Sequence, residues 1–227
     1  MKKIIIFDLD NTFYSYEITH LKALDQVFLN QKIINNKDEF LNSYSSARLK
    51  IKETLKDSTS INNRTLYFKA LLEEIKYDDL TVAHELADIY WENFIKNADI
   101  NSESLIKIRN SKSSETVFHL YTNLNTDIQL KKIKAWNLDF FDKIVTSEDA
   151  GYEKPNKKFI EHVSSDLENF KKDGYDFFAV GDSVENDLKP WKLKFEAKTF
   201  LINGFSDDAT VDFETTLDEA IERIFSD

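Results

Sequence analysis

Hydrophobic and polar positions divide the chain into stretches of different rhythm. Residues 4–7, IIIF, form a short β-branched-rich apolar run stopped by polar residues, which predicts a buried strand rather than a helix. From about residue 14 to about residue 100 the apolar positions recur near the helical period: Leu21, Leu24 and Phe28; Leu66, Ala70 and Leu71; Val82, Leu86, Ile89 and Phe94. This region contains neither Gly nor Pro, so it offers no tight phosphate-cradling loop. Beyond residue 101 the reading alternates. It predicts helices over 102–110, about 126–136, after Pro155, over 184–192 and over 216–225, with strands at TVFHLY, KIVTS, YDFFAV and KTFLI between them.

Strands that alternate with helices predict a parallel sheet covered on both faces, the α/β, Rossmann-like class. The helical stretch behind the first strand is then an insertion folding as its own layer. The expected organisation is an α/β core from residues 1–13 and 101–227, and an all-helical domain from residues 14–100. No internal repeat or low-complexity tract interrupts it.

Composition narrows the function classes. With 227 residues, 41% hydrophobic and 18 Phe, 9 Tyr and 3 Trp, the chain can bury a sizeable core. A formal charge of -11 repels phosphates, so neither nucleic acid nor an anionic membrane surface is an expected partner, and any anionic ligand must be captured locally. The absence of Cys excludes disulfides and thiolate metal sites. MKKIIIF is too short for a secretory h-region and no apolar run approaches a membrane span, so a cytoplasmic location is the expectation.

The candidate chemistry lies where strands end. IIIF runs directly into Asp8 and Asp10. Two ionised carboxylates about 6 Å apart repel by roughly 3 kcal/mol at an effective dielectric of about 20, so something must offset them. Ligands of open parallel sheets bind at the carboxyl ends of the strands. There the sequence sets Asp8-Leu9-Asp10-Asn11-Thr12, Thr122-Asn123 after TVFHLY, Lys154 in the loop after KIVTS, and Gly181-Asp182-Ser183 after YDFFAV, with Asp187 five residues past Asp182. Only four Gly and two Pro occur in the chain, yet Gly151, Pro155 and Gly181 fall within three residues of Lys154 or Asp182. Special backbone geometry is reserved for the place where the strand ends meet.

In that order DLDNT, YTN, the Lys of GYEKPNKKF, and GDSVEND resemble the four motifs of the haloacid dehalogenase-like hydrolase superfamily. The resemblance spans the alternating core, and the helical insertion is similar to the helical cap of one large subclass. Each motif alone would be weak; four in order, each at a strand end, are specific. The resemblance implies that Asp8 is a nucleophile forming an aspartyl phosphate, and that Asp10 is the general acid and then the base. It further implies Mg²⁺ held by Asp8 and Asp182 side chains, the Asp10 carbonyl and, less directly, Asp187. Thr122 and Asn123 would bind the phosphoryl group and Lys154 would neutralise it.

Taken singly, these residues have plainer readings: turn positions for Asp8 and Asp10, a helix first turn for Asp187, and solvated surface for Lys154. Ser183 could assist beside the metal. His20, Arg48, Lys52 and Arg64 read as exposed helix faces rather than substrate contacts. The roles also require the two aspartates to differ, Asp8 ionised and Asp10 able to hold a proton, with their pKa values driven apart.

The expected activity is hydrolysis of a small phosphorylated metabolite, a nucleoside monophosphate or sugar phosphate. A sugar phosphomutase stays open as an alternative. Asp10 argues against a dehalogenase, since halide departure needs no proton. A receiver-like phospho-acceptor module would be far shorter and lack the insertion.

Overall fold

The run 4–7 lies in β1 (Lys3–Phe7), all five residues of which are buried in the computed structural model, whose described residues are 1–56 and 58–226. β1 pairs in parallel with β2 (Thr116–Thr122) on one side and β4 (Asp176–Gly181) on the other. With β3 (Lys143–Thr146), β5 (Lys198–Ile202) and β6 (Phe213–Thr215), they make a six-stranded, wholly parallel sheet in the order β3-β2-β1-β4-β5-β6. The order reverses at β1, so its carboxyl end is the switch point where loops diverge and a ligand fits. Register makes this specific: Phe7 stands level with Leu120 and Val180, so the residues after all three emerge together.

The described residues fall into two compact units, Met1–Ser15 with Ile100–Asp227, and Tyr16–Asp99. In the first, helices α5 (Ser102–Asn110), α6 (Thr126–Ala135), α7 (Ser147–Ala150), α8 (Lys157–Lys172), α9 (Lys189–Phe195) and α10 (Leu217–Phe225) alternate with the strands. One face of the sheet is filled by Ile4, Ile6, Tyr121, Phe159, Leu188 and Trp191 among others. The helix read over 184–192 resolves into a π-helical turn, Val184–Leu188, followed by α9, with Pro190 in its first turn, where the missing N–H costs nothing. The strand β6 was not legible, because three residues cannot establish an alternation.

The second unit consists of α1 (Tyr16–Asn30), α2 (Lys37–Thr54), α3 (Arg64–Glu74) and α4 (Val82–Asn97). Asn36 and Asn63 cap α2 and α3 by accepting N–H groups of the first turn. Two expectations need correction here. Leu21 is 51% exposed, and the inner stripe of α1 is instead Thr19, His20, Ala23, Leu24 and Val27. His20 and Arg64 are buried, not on exposed faces, because aromatic rings enclose them; Arg48 and Lys52 are half-buried. Among the described residues no helix is long and apolar enough to cross a membrane.

Candidate active site

Asp8 directly follows β1, and its N–H donates to the Val180 carbonyl at 3.0 Å, which seats it between β1 and β4. Asp182 follows β4, and Asp187 lies in the π-helical turn beyond it. Carboxylate oxygens of Asp8, Asp182 and Asp187 lie within 4.8 Å of one another. Gly181 makes this possible: a Cβ there would stand 2.4 Å from the Asp187 Cβ and 2.8 Å from its Oδ2. The turn also fixes Asp187 through the Ser183 N–H, which donates to its Oδ2 at 3.0 Å. The Ser183 hydroxyl is engaged in capping, accepting the Asn186 N–H.

Lys154 enters from the loop after α7 and is buried. Its Nζ donates to Asp8 Oδ1 at 2.7 Å, Asp187 Oδ1 at 2.6 Å and the Tyr121 carbonyl at 2.5 Å. All three ammonium hydrogens are thereby directed inward. Asn123 holds this loop: its Oδ1 accepts the Lys154 N–H at 2.8 Å and its Nδ2 donates to the Lys154 carbonyl at 3.2 Å. Next to it, Leu124 adopts a φ of 119°, a conformation costly for a branched side chain, and its N–H is held by the Ser147 hydroxyl at 2.9 Å.

Asp10 is turned to a second cation. Lys132, fully buried on α6, donates to its Oδ1 at 2.6 Å, Tyr14 donates to the same oxygen, and Gln129 Nε2 reaches Oδ2 at 3.2 Å. Gln129 also donates to the Thr122 hydroxyl at 2.7 Å and the Asn123 carbonyl at 2.8 Å, tying both to Asp10.

The sequence reading overlooked Lys132, Gln129 and Tyr14. A signal existed: Gln129, Lys132, Ile133 and Trp136 form the buried helical stripe, with two polar members, whereas Leu130 faces outward at 47% exposure. Asn11 was likewise passed over; its side chain hydrogen-bonds Asp182 from a left-handed φ of 63°.

Electrostatics separates the two aspartates, and with the chain's own side chains alone it favours a proton on Asp8 over one on Asp10. Burial raises Asp8 to about 7; Lys154 opposes this, and the Asp187 and Asp10 charges add to it. Burial likewise raises Asp182 to about 6, reinforced by Asp8, and raises Asp187. Burial would raise Asp10 too, but Lys132 and the hydrogen bonds from Lys132, Tyr14 and Gln129 outweigh it and hold the carboxyl below its usual value. Lys154 is kept above the ordinary lysine value by Asp187 and Asp8, against the effect of burial.

The family model of the haloacid dehalogenase-like hydrolases matches residues 5–190. The chain belongs to this family. Among relatives, the haloacid dehalogenase-like hydrolase is 27% identical to a ribulose-1,5-bisphosphate 5-phosphatase of Halopiger xanaduensis over 199 residues, 83% of this chain and 80% of that one. Its fold is similar to the magnesium-bound structure of the HAD-hydrolase YfnB from Bacillus subtilis, with a TM-score of 0.72 at 22% identity, covering 100% of this chain and 99% of that chain. It is also similar to a HAD phosphatase from Thermococcus onnurineus, with a TM-score of 0.65 at 22% identity, covering 98% and 97%.

Proposed function

We propose that the protein is a cytoplasmic, Mg²⁺-dependent phosphatase of small phosphorylated metabolites, working through an aspartyl phosphate on Asp8. The observation that carries this reading is the convergence of the Asp8, Asp182 and Asp187 carboxylates within 4.8 Å of one another, with the Lys154 ammonium paired to Asp8 and Asp187. Three carboxylates against one lysine leave an uncompensated negative charge, which adds to burial in raising two of the pKa values to about 7 and about 6. An all-oxygen set of this kind suits a hard divalent cation. Asp8, Asp182 and Asp187 would hold Mg²⁺, with the Asp10 carbonyl as a further oxygen. When bound, the ion supplies the positive charge that the carboxylates and the phosphoryl oxygens lack.

In the first half-reaction an Asp8 carboxylate oxygen forms a bond to phosphorus while the bond to the leaving oxygen breaks, and Asp10 gives that oxygen its proton. In the second, Asp10 takes a proton from water, the water oxygen bonds to phosphorus, and the acyl-phosphate bond breaks to restore Asp8 and release phosphate. Asp10 as it stands, ionised beside Lys132, suits the second half; the first requires it to leave that lysine and carry a proton. The Thr122 hydroxyl and Lys154 Nζ are the groups for the phosphoryl oxygens. Asn123, engaged with the Lys154 backbone, acts by positioning that loop.

The unit Tyr16–Asp99 is proposed as the cap, which excludes water and reads the leaving group. The substrate class is a sugar phosphate or nucleoside monophosphate, and the name of the Halopiger relative favours the former. Phosphate release from an aryl phosphate should require Mg²⁺, stop with a chelator and vanish in Asp8→Asn; activity in that variant would overturn the assignment of the nucleophile.

A further inference from the structure

A cavity of about 460 Å³ lies at the edge of the sheet opposite the candidate active site. Lys3 opens β1, Asp176 opens β4 and Lys198 opens β5, and all three line it, whereas Asp8 and Asp182 leave the carboxyl ends of β1 and β4. Lys171 from the last turn of α8, Glu196 just after α9 and Arg223 from α10 line it too. All of these residues belong to the unit formed by Met1–Ser15 and Ile100–Asp227, so the cavity is complete within that unit.

Its positive charge is uncompensated. Lys3 is 5% exposed, and its Nζ donates to the Ile224 carbonyl of α10 at 2.5 Å and lies 5.3 and 5.9 Å from the ring centroids of Phe225 and Phe178. One carbonyl engages one of three ammonium hydrogens, and ring faces supply only partial charge, so this buried cation has no counter-ion. Asp176 stands level with Lys3 on the neighbouring strand, yet the two form no ion pair. Lys171, Lys198 and Arg223 are exposed and form none among the described residues either. Elsewhere in the unit comparable cations are paired, Lys107 with Glu222, Lys143 with Asp166 and Lys192 with Asp212. A chain with a net charge of -11 thus leaves four cations without partners around one cavity, against the two carboxylates of Asp176 and Glu196.

The rings beside the cavity are already engaged. Phe195 stacks on Phe177 at 4.8 Å, with Lys171 Nζ 6.0 Å from its centroid, and Lys2 Nζ lies 5.3 Å from that of Tyr175. Lys198 and Arg223 both lie against Phe213, at 5.3 and 5.2 Å. Recognition here is therefore by charge and hydrogen bonding, not by stacking of a planar ligand. We propose that this cavity is a second, non-catalytic binding site for a small polyanion carrying phosphoryl or carboxylate groups. Lys3 is its buried anchor, Lys171, Lys198 and Arg223 meet the anion at the rim, and Asp176 and Glu196 are acceptors for hydroxyl groups of the ligand. The volume lies in the range of small-molecule sites. The inference does not depend on the phosphatase reading.

The test is calorimetric titration and thermal melting of the full chain, stripped of divalent cations and dialysed free of chelator, with pyrophosphate and with citrate. Wild type should bind one anion per chain and melt at a higher temperature than in sodium chloride of matched ionic strength; the stronger of the two anions distinguishes phosphoryl from carboxylate. Lys198→Ala combined with Arg223→Ala should weaken the affinity roughly tenfold, as loss of two partly solvated charge contacts supports. Lys3→Met should abolish binding. Should Lys3→Met not fold, the double substitution of exposed residues decides the matter. Asp8→Asn should bind the anion as wild type does. Absence of binding and of stabilisation with both anions overturns the inference, as does an affinity unchanged in the double variant. An affinity that Asp8→Asn alters several-fold and the double variant does not would seat the anion in the candidate active site and overturn it as well. None of these outcomes bears on phosphate release, so the phosphatase reading stands or falls separately.

Discussion

Replacing Asp8 by Asn should stabilise the metal-free protein, with a pH dependence that identifies the cause. Asn is nearly isosteric with the protonated carboxyl and still accepts the Lys154 hydrogen bond, so the substitution mainly removes the cost of ionising a buried acid. Burial raises this carboxyl from 3.8 to about 7. A raised acid carries no penalty below its unfolded pKa, accumulates one as pH climbs towards the folded pKa, and keeps it above. Roughly three pKa units correspond to about 4 kcal/mol. The gain of Asp8→Asn over wild type should therefore be below about 1 kcal/mol near pH 4 and approach about 4 kcal/mol near pH 8. For a chain of this size that is an increase in Tm of about 8–16 °C. Melts of both proteins in chelator across this pH range measure it. Mg²⁺ should then stabilise wild type, by about 2.7 kcal/mol at a hundredfold excess over Kd, and Asp8→Asn much less. A gain of equal size at both ends of the pH range, or a less stable variant near pH 8, would show that Lys154 already compensates the site and would refute the reasoning.

Two further changes probe separate parts of the site. Gly181→Ala places a methyl 2.4 Å from the Asp187 Cβ, which must withdraw from Lys154 and Asp182; it should cost about 1–3 kcal/mol of stability by overpacking and abolish stabilisation by Mg²⁺ in melts. Unchanged Mg²⁺ stabilisation in Gly181→Ala would remove Asp187 from the cation site. Asp10→Asn should slow substrates with poor leaving groups far more than those with good ones, since only the former need a proton, and a uniform decrease across an aryl phosphate series would remove Asp10 as the acid.

The sheet and its strand ends were legible because their signals are local. IIIF, TVFHLY and YDFFAV are short apolar runs, and each ends in the polar residues that emerge together. Gly181 was legible only as special backbone geometry beside Asp182, since a sequence with four glycines spends one there; that it admits Asp187 depends on the turn packing back onto β4. Lys132 was only half-legible: the helical stripe holding it can be drawn, but which way α6 faces depends on packing against the sheet. Arg64 was illegible. In the sequence it is a basic residue just after an Asn cap, ordinarily a solvated position, and its burial comes from rings on α1, α2, α3 and α4 that no local pattern brings together.

The two aspartates of DLD each have a buried lysine, yet burial prevails at one, and at the other it is outweighed by the lysine together with the hydrogen bonds from Tyr14 and Gln129. The difference lies in how each ammonium is shared. Lys154 divides its three hydrogens between Asp8, Asp187 and a carbonyl, while Asp182 adds further negative charge close by. Lys132 faces one carboxylate, reinforced by donors from Tyr14 and Gln129, and that carboxylate retains 27% exposure. The raised pKa of Asp8 is thus conditional, since any added positive charge at the three carboxylates lowers it. The depressed pKa of Asp10 is built from the chain's own side chains and changes only with its geometry. On the proposed mechanism, Asp8 is activated by a change of charge around a fixed residue, whereas Asp10 alternates between base and acid by a change of partner around a fixed charge. Gln129, which touches Asp10, Thr122 and Asn123 at once, is the residue through which that change of partner would reach the groups that face the phosphoryl oxygens.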